Sequence, residues 1–206
     1  MANQSACDFW FTMGSTYTYL TVMRIGAVEA STGVRFRLRP FNLRAVFAAG
    51  YFPFPAGSPK TAYMWHDIER RAAAYGIPIR VPAPYPAKNS GLTNWITLLG
   101  LDEGWGREFA LAAYRRWFQL GQETGSDEHV AASLRDIGQD PQRVLALVHG
   151  EQIQQLWETE TNRARELGVF GSPTFVVDSG ELFGGDDRLE DAISWYRHGR
   201  VLLGGR

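Results

Sequence analysis

A chain of 206 residues, 45 % hydrophobic and 21 % charged, has the size and composition of one globular domain, or of one domain with a large insertion. A formal net charge of −1, without a long basic run, argues against a surface built to neutralise nucleic-acid phosphates. The single cysteine, Cys7, rules out an internal disulfide and any Cys-x-x-Cys metal or redox motif. The start, "MANQSACDFW", lacks the basic and apolar regions of a signal peptide, and no apolar run reaches the roughly 18 residues that span a bilayer. His66, His129, His149 and His198 are scattered, none with a second ligand at metal-site spacing. A soluble, cytoplasmic, metal-free protein is expected.

In chain order, "CDFWFTM" is short, apolar and aromatic, and predicts a buried strand bounded by Gly14. From Thr16 to about Ala30, Tyr17, Leu20, Val22, Met23 and Ala27 recur at helical spacing, and Gly33 stops the helix. "VRFRLRPF" alternates, with Val34, Phe36 and Leu38 on one side and arginines on the other, so it predicts a strand with one wet face, closed by Pro40. The first 40 residues thus form a βαβ unit with parallel strands. "TAYMWHDIERRAAAYG" predicts an amphipathic helix that stops at Gly76 and Pro78; the four prolines of "IPIRVPAPYPAKNSG" predict an extended or looped segment. Helical patterns resume at "LTNWITLLG", "REFALAAYRRWFQLG" and "DEHVAASLRDIG". "DPQRVLALVHG" opens with Asp140 as N-cap and Pro141 at the first helical position, and "EQIQQLWETETNRARELG" runs to Gly168. In "SPTFVVDSGELFGG", a β run from Thr174 to Val177, a turn at "DSG" and a short "ELF" predict a hairpin. "DDRLEDAISWYRHG" predicts a last helix whose acidic first turn suits the helix dipole.

Two β-containing ends around a helical middle predict an α/β protein: a thioredoxin fold with a large inserted all-helical domain. Residues 1–40 and 169–206 would form the thioredoxin-like domain, and 41–168 the insertion. "GSPTFVV" stands where that fold keeps a cis-proline facing the first helix's amino end. Taken alone, the polar residues near these joints have ordinary roles. Ser15 would cap the first helix, Asp186 and Asp187 the last one, and Lys60 would be solvated surface. The aromatic surplus, 13 % of the chain, would fill the core or line a pocket for a flat apolar ligand.

Four stretches, "DFWFTMGSTYTYL", "RLRPFNLRAVFAAG", "PKTAYMWHDIERRAAAYGIPIRVP" and "GVFGSPTFVVDSGELFGGDDRL", give the chain a resemblance to the 2-hydroxychromene-2-carboxylate isomerases. These are relatives of the kappa-class glutathione transferases in the DsbA-like branch of the thioredoxin superfamily. The resemblance implies a glutathione-dependent isomerase that interconverts a bicyclic aromatic catabolite and its ring-opened benzylidenepyruvate. It makes Ser15 the catalytic residue, beside the sulfur of bound glutathione, where a hydroxyl and a helix amino end favour the reactive thiolate. Ser172 and Pro173 would pair with the cysteinyl part of glutathione strand to strand, Asp186 and Asp187 would hold its γ-glutamyl ammonium, and Lys60 one of its carboxylates. For the second substrate, Tyr51, Tyr85 and Trp95 are candidates for an aromatic wall, and Arg44 for a carboxylate partner. No metal is implied, and relatives of this kind often form homodimers.

The chain departs from the family pattern at three places. Many relatives read Ser-Pro-Tyr where this one has Ser15-Thr16-Tyr17. Gly50-Tyr51 replaces a Gly-Asn pair, and "FGGDD" replaces "FWGND". Two other readings stand beside this one: a kappa-like glutathione S-transferase, which keeps the same site with glutathione as co-substrate, and a redox-inert thioredoxin-like binding module, which would need neither Ser15 nor a glutathione pocket. Dithiol–disulfide exchange is excluded by the cysteine count.

Overall fold

The computed structural model describes residues 7–47 and 53–202. Strand β1 (Cys7–Phe11) is buried at all five positions, as its aromatic run predicts. It pairs in parallel with β2 (Phe36–Pro40), Phe9 opposite Leu38, and helix α1 (Thr18–Thr32) makes the crossover. On its other side β1 pairs antiparallel with β3 (Thr174–Val176), Phe9 opposite Phe175, and β3 turns back into β4 (Leu182–Gly184). The sheet order is β2-β1-β3-β4, so the two ends of the chain form one sheet.

Between β2 and β3 run α2 (Leu43–Val46), α3 (Pro59–Tyr75), α4 (Ser90–Glu103), α5 (Gly106–Phe118), α6 (Asp127–Asp136), α7 (Pro141–Leu147) and α8 (Glu151–Glu166). Their boundaries follow local chemistry. Ser58 accepts from the Thr61 N–H with Pro59 at the first turn of α3, and Asp140 accepts from Gln142 ahead of α7. Gly76 ends α3 at φ 66°, a left-handed conformation that glycine adopts without a Cβ penalty. The proline-rich stretch 77–89 is neither helix nor strand.

Both faces of β1 are covered, which explains its lack of alternation. Phe9 and Phe11 point into a core shared by α1 and α5, where Phe9 stacks on Phe175 (5.5 Å) and Tyr19 on Phe118 (4.4 Å). Trp10 points the other way, into a smaller cluster with Phe41, Ala164, Val169 and Val176. Gly14 lets the amino end of α4 close onto the β1–α1 loop, because a Cβ there would lie 2.9 Å from Ser90 Cβ.

Several element limits shift by one to three residues from expectation, and two of these shifts bear on the polar joints. Helix α1 starts at Thr18 rather than Thr16, since Thr16 and Tyr17 form a preceding turn. Asp186 and Asp187 lie in a 3₁₀ turn (Asp186–Arg188) before α9 (Leu189–His198), because Asp186 is drawn inward by Thr21 and Arg24 of α1. No helix among the described residues is long and apolar enough to cross a membrane.

Candidate active site

The loop from Thr12 to Ser15 joins the end of β1 to the start of α1, and hydrogen bonds from distant parts of the chain fix its backbone. Thr12 N–H donates to Ser172 Oγ (2.9 Å) and Met13 N–H to Asn94 Oδ1 (2.9 Å). The Tyr114 hydroxyl lies between two carbonyls, 3.1 Å from Thr12 O and 3.0 Å from Ser15 O. Asn94 Nδ2 donates to Thr12 Oγ1 (2.9 Å), and Thr18 Oγ1 lies 2.8 Å from Ser172 Oγ. Buried polar groups that meet partners in this way hold one geometry, since any displacement would leave a group unsatisfied in a dry interior.

Ser15 is half-buried, and its hydroxyl donates to the Ser172 carbonyl at 2.7 Å. It makes no capping bond: the residue preceding α1 is Tyr17, without side-chain help. The helix-cap reading of Ser15 therefore does not hold. Ser172 precedes Pro173 through a cis peptide, and the Pro173 carbonyl accepts from Gly185 N–H at 2.8 Å, tying this loop to the acidic turn. Thr16, where relatives have proline, is buried with its hydroxyl on Met64 Sδ (3.0 Å).

Ser15 and Ser172 open onto a cavity of about 790 Å³. Its walls include Phe47, Phe54, Tyr85, Trp95, Trp157 and Phe170, with Arg44 and Lys88 as cationic residues. The Tyr85 hydroxyl donates to Phe54 O (3.1 Å); burial raises the phenol's pKa, and the positive charge of Arg44 opposes that rise. Trp95 meets His149 edge to face at 5.6 Å, and its indole Nε1 is buried without a hydrogen-bond partner among the described residues. Phe170 is 66 % exposed although it lines the cavity, so an apolar ring is left uncovered beside Ser172.

The acidic turn sits to one side of this cavity. Asp186 is 1 % exposed and accepts from Thr21 Oγ1 (2.8 Å) and Arg24 Nε (3.1 Å), while its main-chain oxygen accepts from Arg24 Nη2 (2.8 Å). Arg24 also pairs with Glu190 and stacks over Tyr75 (4.4 Å). Burial pushes the Asp186 carboxyl above its usual range, with Arg24 and Thr21 opposing it. Asp187 is exposed, its carboxylate 3.8 Å from Arg71 and from Arg188. Arg71 Nε reaches Asp67 (3.0 Å), which accepts from the Tyr17 hydroxyl (3.0 Å), so an ionic chain links the turn to a cavity-lining residue.

The structure thus brings Ser15, Ser172, Arg44, Tyr85 and Trp95 together around one cavity, with Pro173 buried directly behind Ser172. Lys60 is exposed outside the lining, its ammonium 5.1 Å from the ring of Phe54, which does line it. Asp187 is exposed outside the lining, beside Arg71 and Arg188, and Asp186 is buried away from the cavity. Tyr51 lies outside the described residues. Asn94, Tyr114, Thr12 and Trp157 are absent from the expectations drawn from the sequence. The signal for Asn94 is visible in "LTNWITLLG": an amide on the apolar face of a buried helix needs partners. Among the described residues, no three His, Cys, Asp or Glu side chains gather as a metal site would require.

Comparison with known proteins agrees with this architecture. The sequence profile of the DSBA-like thioredoxin domain matches residues 6–194. A 2-hydroxychromene-2-carboxylate isomerase of Sphingobium xenophagum is 28 % identical over 187 residues, covering 89 % of this chain and 93 % of that one. Glutathione S-transferase kappa 2 of Caenorhabditis elegans is 24 % identical over 203 residues, 92 % of this chain and 90 % of that one. The solved structure of a 2-hydroxychromene-2-carboxylate isomerase superposes with a TM-score of 0.78 at 23 % identity, covering 89 % of this chain and 90 % of the other, which supports the fold. With nearly its whole length matched by the profile, the chain belongs to the DSBA-like thioredoxin domain family.

Proposed function

We propose that this protein is a glutathione-dependent isomerase of the 2-hydroxychromene-2-carboxylate type, acting in the cytoplasm. The observation that carries the reading is the placement of Ser15: a half-buried hydroxyl, free of capping duty, in the wall of a cavity that several aromatic rings share and before the amino end of α1. Dithiol exchange is not available to this site, since the only cysteine, Cys7, is buried in β1 and burial raises its thiol pKa far above the usual range.

The donor set fits glutathione. Ser172 borders the cavity before the cis bond and suits the cysteinyl peptide; Lys60, beside the cavity-lining Phe54, and Asp187, beside Arg71, would supply the charges for carboxylate and ammonium from outside the lining. Asp186 serves this grip indirectly, by holding the turn that carries Asp187. When bound, glutathione supplies a thiolate nucleophile that adds reversibly to a conjugated ring. Ser15 has one proton, donated to Ser172 O in the free site; a hydroxyl rotates freely, so in the loaded site it turns to the anionic sulfur. The amino end of α1, which follows Ser15 by three residues, adds the positive potential of the helix dipole there. Arg44 pairs with the carboxylate of the second substrate, and Tyr85, Trp95 and Trp157 flank its ring and exclude water.

Ser15→Ala removes the donor and leaves the grip intact. Turnover of 2-hydroxychromene-2-carboxylate should fall by about 10²–10³, the usual loss for one such donor, while glutathione binding by calorimetry stays within about threefold. Full turnover in the variant would refute the assignment. A second reading, a kappa-like transferase, is favoured by the 24 % identity to glutathione S-transferase kappa 2. A stable thioether product from an electrophilic aryl halide, with no isomerisation, would select it.

A further inference from the structure

The geometry points to Tyr114 and Asn94 as positioning residues that set where the Ser15 hydroxyl stands, an inference that rests on the proposed role of Ser15. Both lie in the helices between β2 and β3, far in sequence from the loop they hold. Tyr114, fully buried in α5, places one phenolic proton between Thr12 O and Ser15 O, the two carbonyls that bracket the loop. Asn94, 2 % exposed in α4, uses both ends of its carboxamide: Oδ1 takes Met13 N–H, and Nδ2 donates to Thr12 Oγ1 and to its own helix at Ser90 O (2.6 Å). Together they hold one peptide N–H, two peptide carbonyls and one hydroxyl within four residues.

Neither side chain is needed there for packing alone. Apolar residues of similar volume would fill the same space without the cost of burying a phenol and an amide. The polar groups instead supply direction. With the loop fixed, the Ser15 Cα–Cβ bond has one orientation, and its hydroxyl swings between the Ser172 carbonyl and the cavity. A loop free to shift by about 1 Å would carry that hydroxyl off line, a displacement that costs about 10²-fold where reacting groups must align. Tyr114 itself is steadied by Trp117, whose ring stacks at 5.9 Å.

The test uses Tyr114→Phe, which deletes one atom, and Asn94→Ala, each compared with the unaltered protein and with Ser15→Ala well below its melting temperature. The readout is the ultraviolet absorbance of the thiolate of bound glutathione at neutral pH, with turnover and glutathione affinity measured alongside. Positioning predicts a thiolate signal at least threefold lower in either variant that folds, turnover about tenfold lower, and glutathione affinity within about threefold of the unaltered protein. A lower melting temperature with an unchanged thiolate signal and turnover would show structural roles only and overturn the inference. A signal lost in Ser15→Ala yet kept in both other variants would overturn the inference and leave the Ser15 reading standing. No thiolate signal in the unaltered protein would overturn both.

Discussion

The two polar regions of the site are built in opposite ways. At the serine loop, partners are mostly neutral, buried and at hydrogen-bond distance: Ser172, Asn94 and Tyr114 lie within about 3 Å of the groups they hold. At the acidic turn the contacts are ionic and graded, with Asp186 sealed against Arg24 and Asp187 in the open, 3.8 Å from two guanidinium groups. Neutral hydrogen bonds are short-ranged and directional, whereas charges act over longer distances with little angular demand. On the proposed reading, orientation is enforced where the Ser15 hydroxyl must face one sulfur, and charge is offered where a flexible zwitterion must be caught.

That contrast can be broken deliberately, the largest effect coming from the buried ion pair. Arg24→Met leaves Asp186 without its cation in a dry setting, so stability should fall by about 3–5 kcal/mol in denaturant unfolding. A loss well below that would show that the turn does not depend on the pair. Asp187→Asn should leave the fold intact and weaken glutathione binding about tenfold by calorimetry, as expected for one charge-assisted contact. Unchanged affinity would remove Asp187 from the grip.

The smallest effect probes the packing behind Tyr114. His129 of α6 lies 2.9 Å from Ala113 O through Nε2, and its Nδ1 accepts from Gly125 N–H (3.4 Å), an arrangement that requires the neutral ring. Burial lowers its pKa below the ordinary 6.5. The folded state therefore binds fewer protons than the unfolded chain once pH falls below that value. This contribution is complete above about pH 6.5 and is lost as pH falls, by at most about 1.4 kcal/mol per unit. His129→Gln should flatten the difference between urea unfolding at pH 7.5 and pH 5.5; an identical pH dependence would clear the histidine of that role.

Strand periodicity, Gly and Pro punctuation and N-caps made β1, β2, the β3–β4 hairpin and most helix limits legible, because each depends on neighbours in sequence. The serine loop was half legible. Ser15 and Ser172 stand out at strand ends, but their partners Asn94 and Tyr114 sit in helices whose relation to the sheet is set by packing across some 80 to 100 residues. The inward turn of Asp186 could not be read either: adjacent aspartates at a helix start look alike until Arg24 and Thr21 select one of them.

The most direct test is a pH titration of glutathione's thiolate absorbance on the unaltered protein and on Ser15→Ala. The account predicts a thiol well below its ordinary pKa, near 8.5, in the unaltered complex, moving back toward that value when the hydroxyl is removed. Equal thiolate formation in both proteins would contradict it.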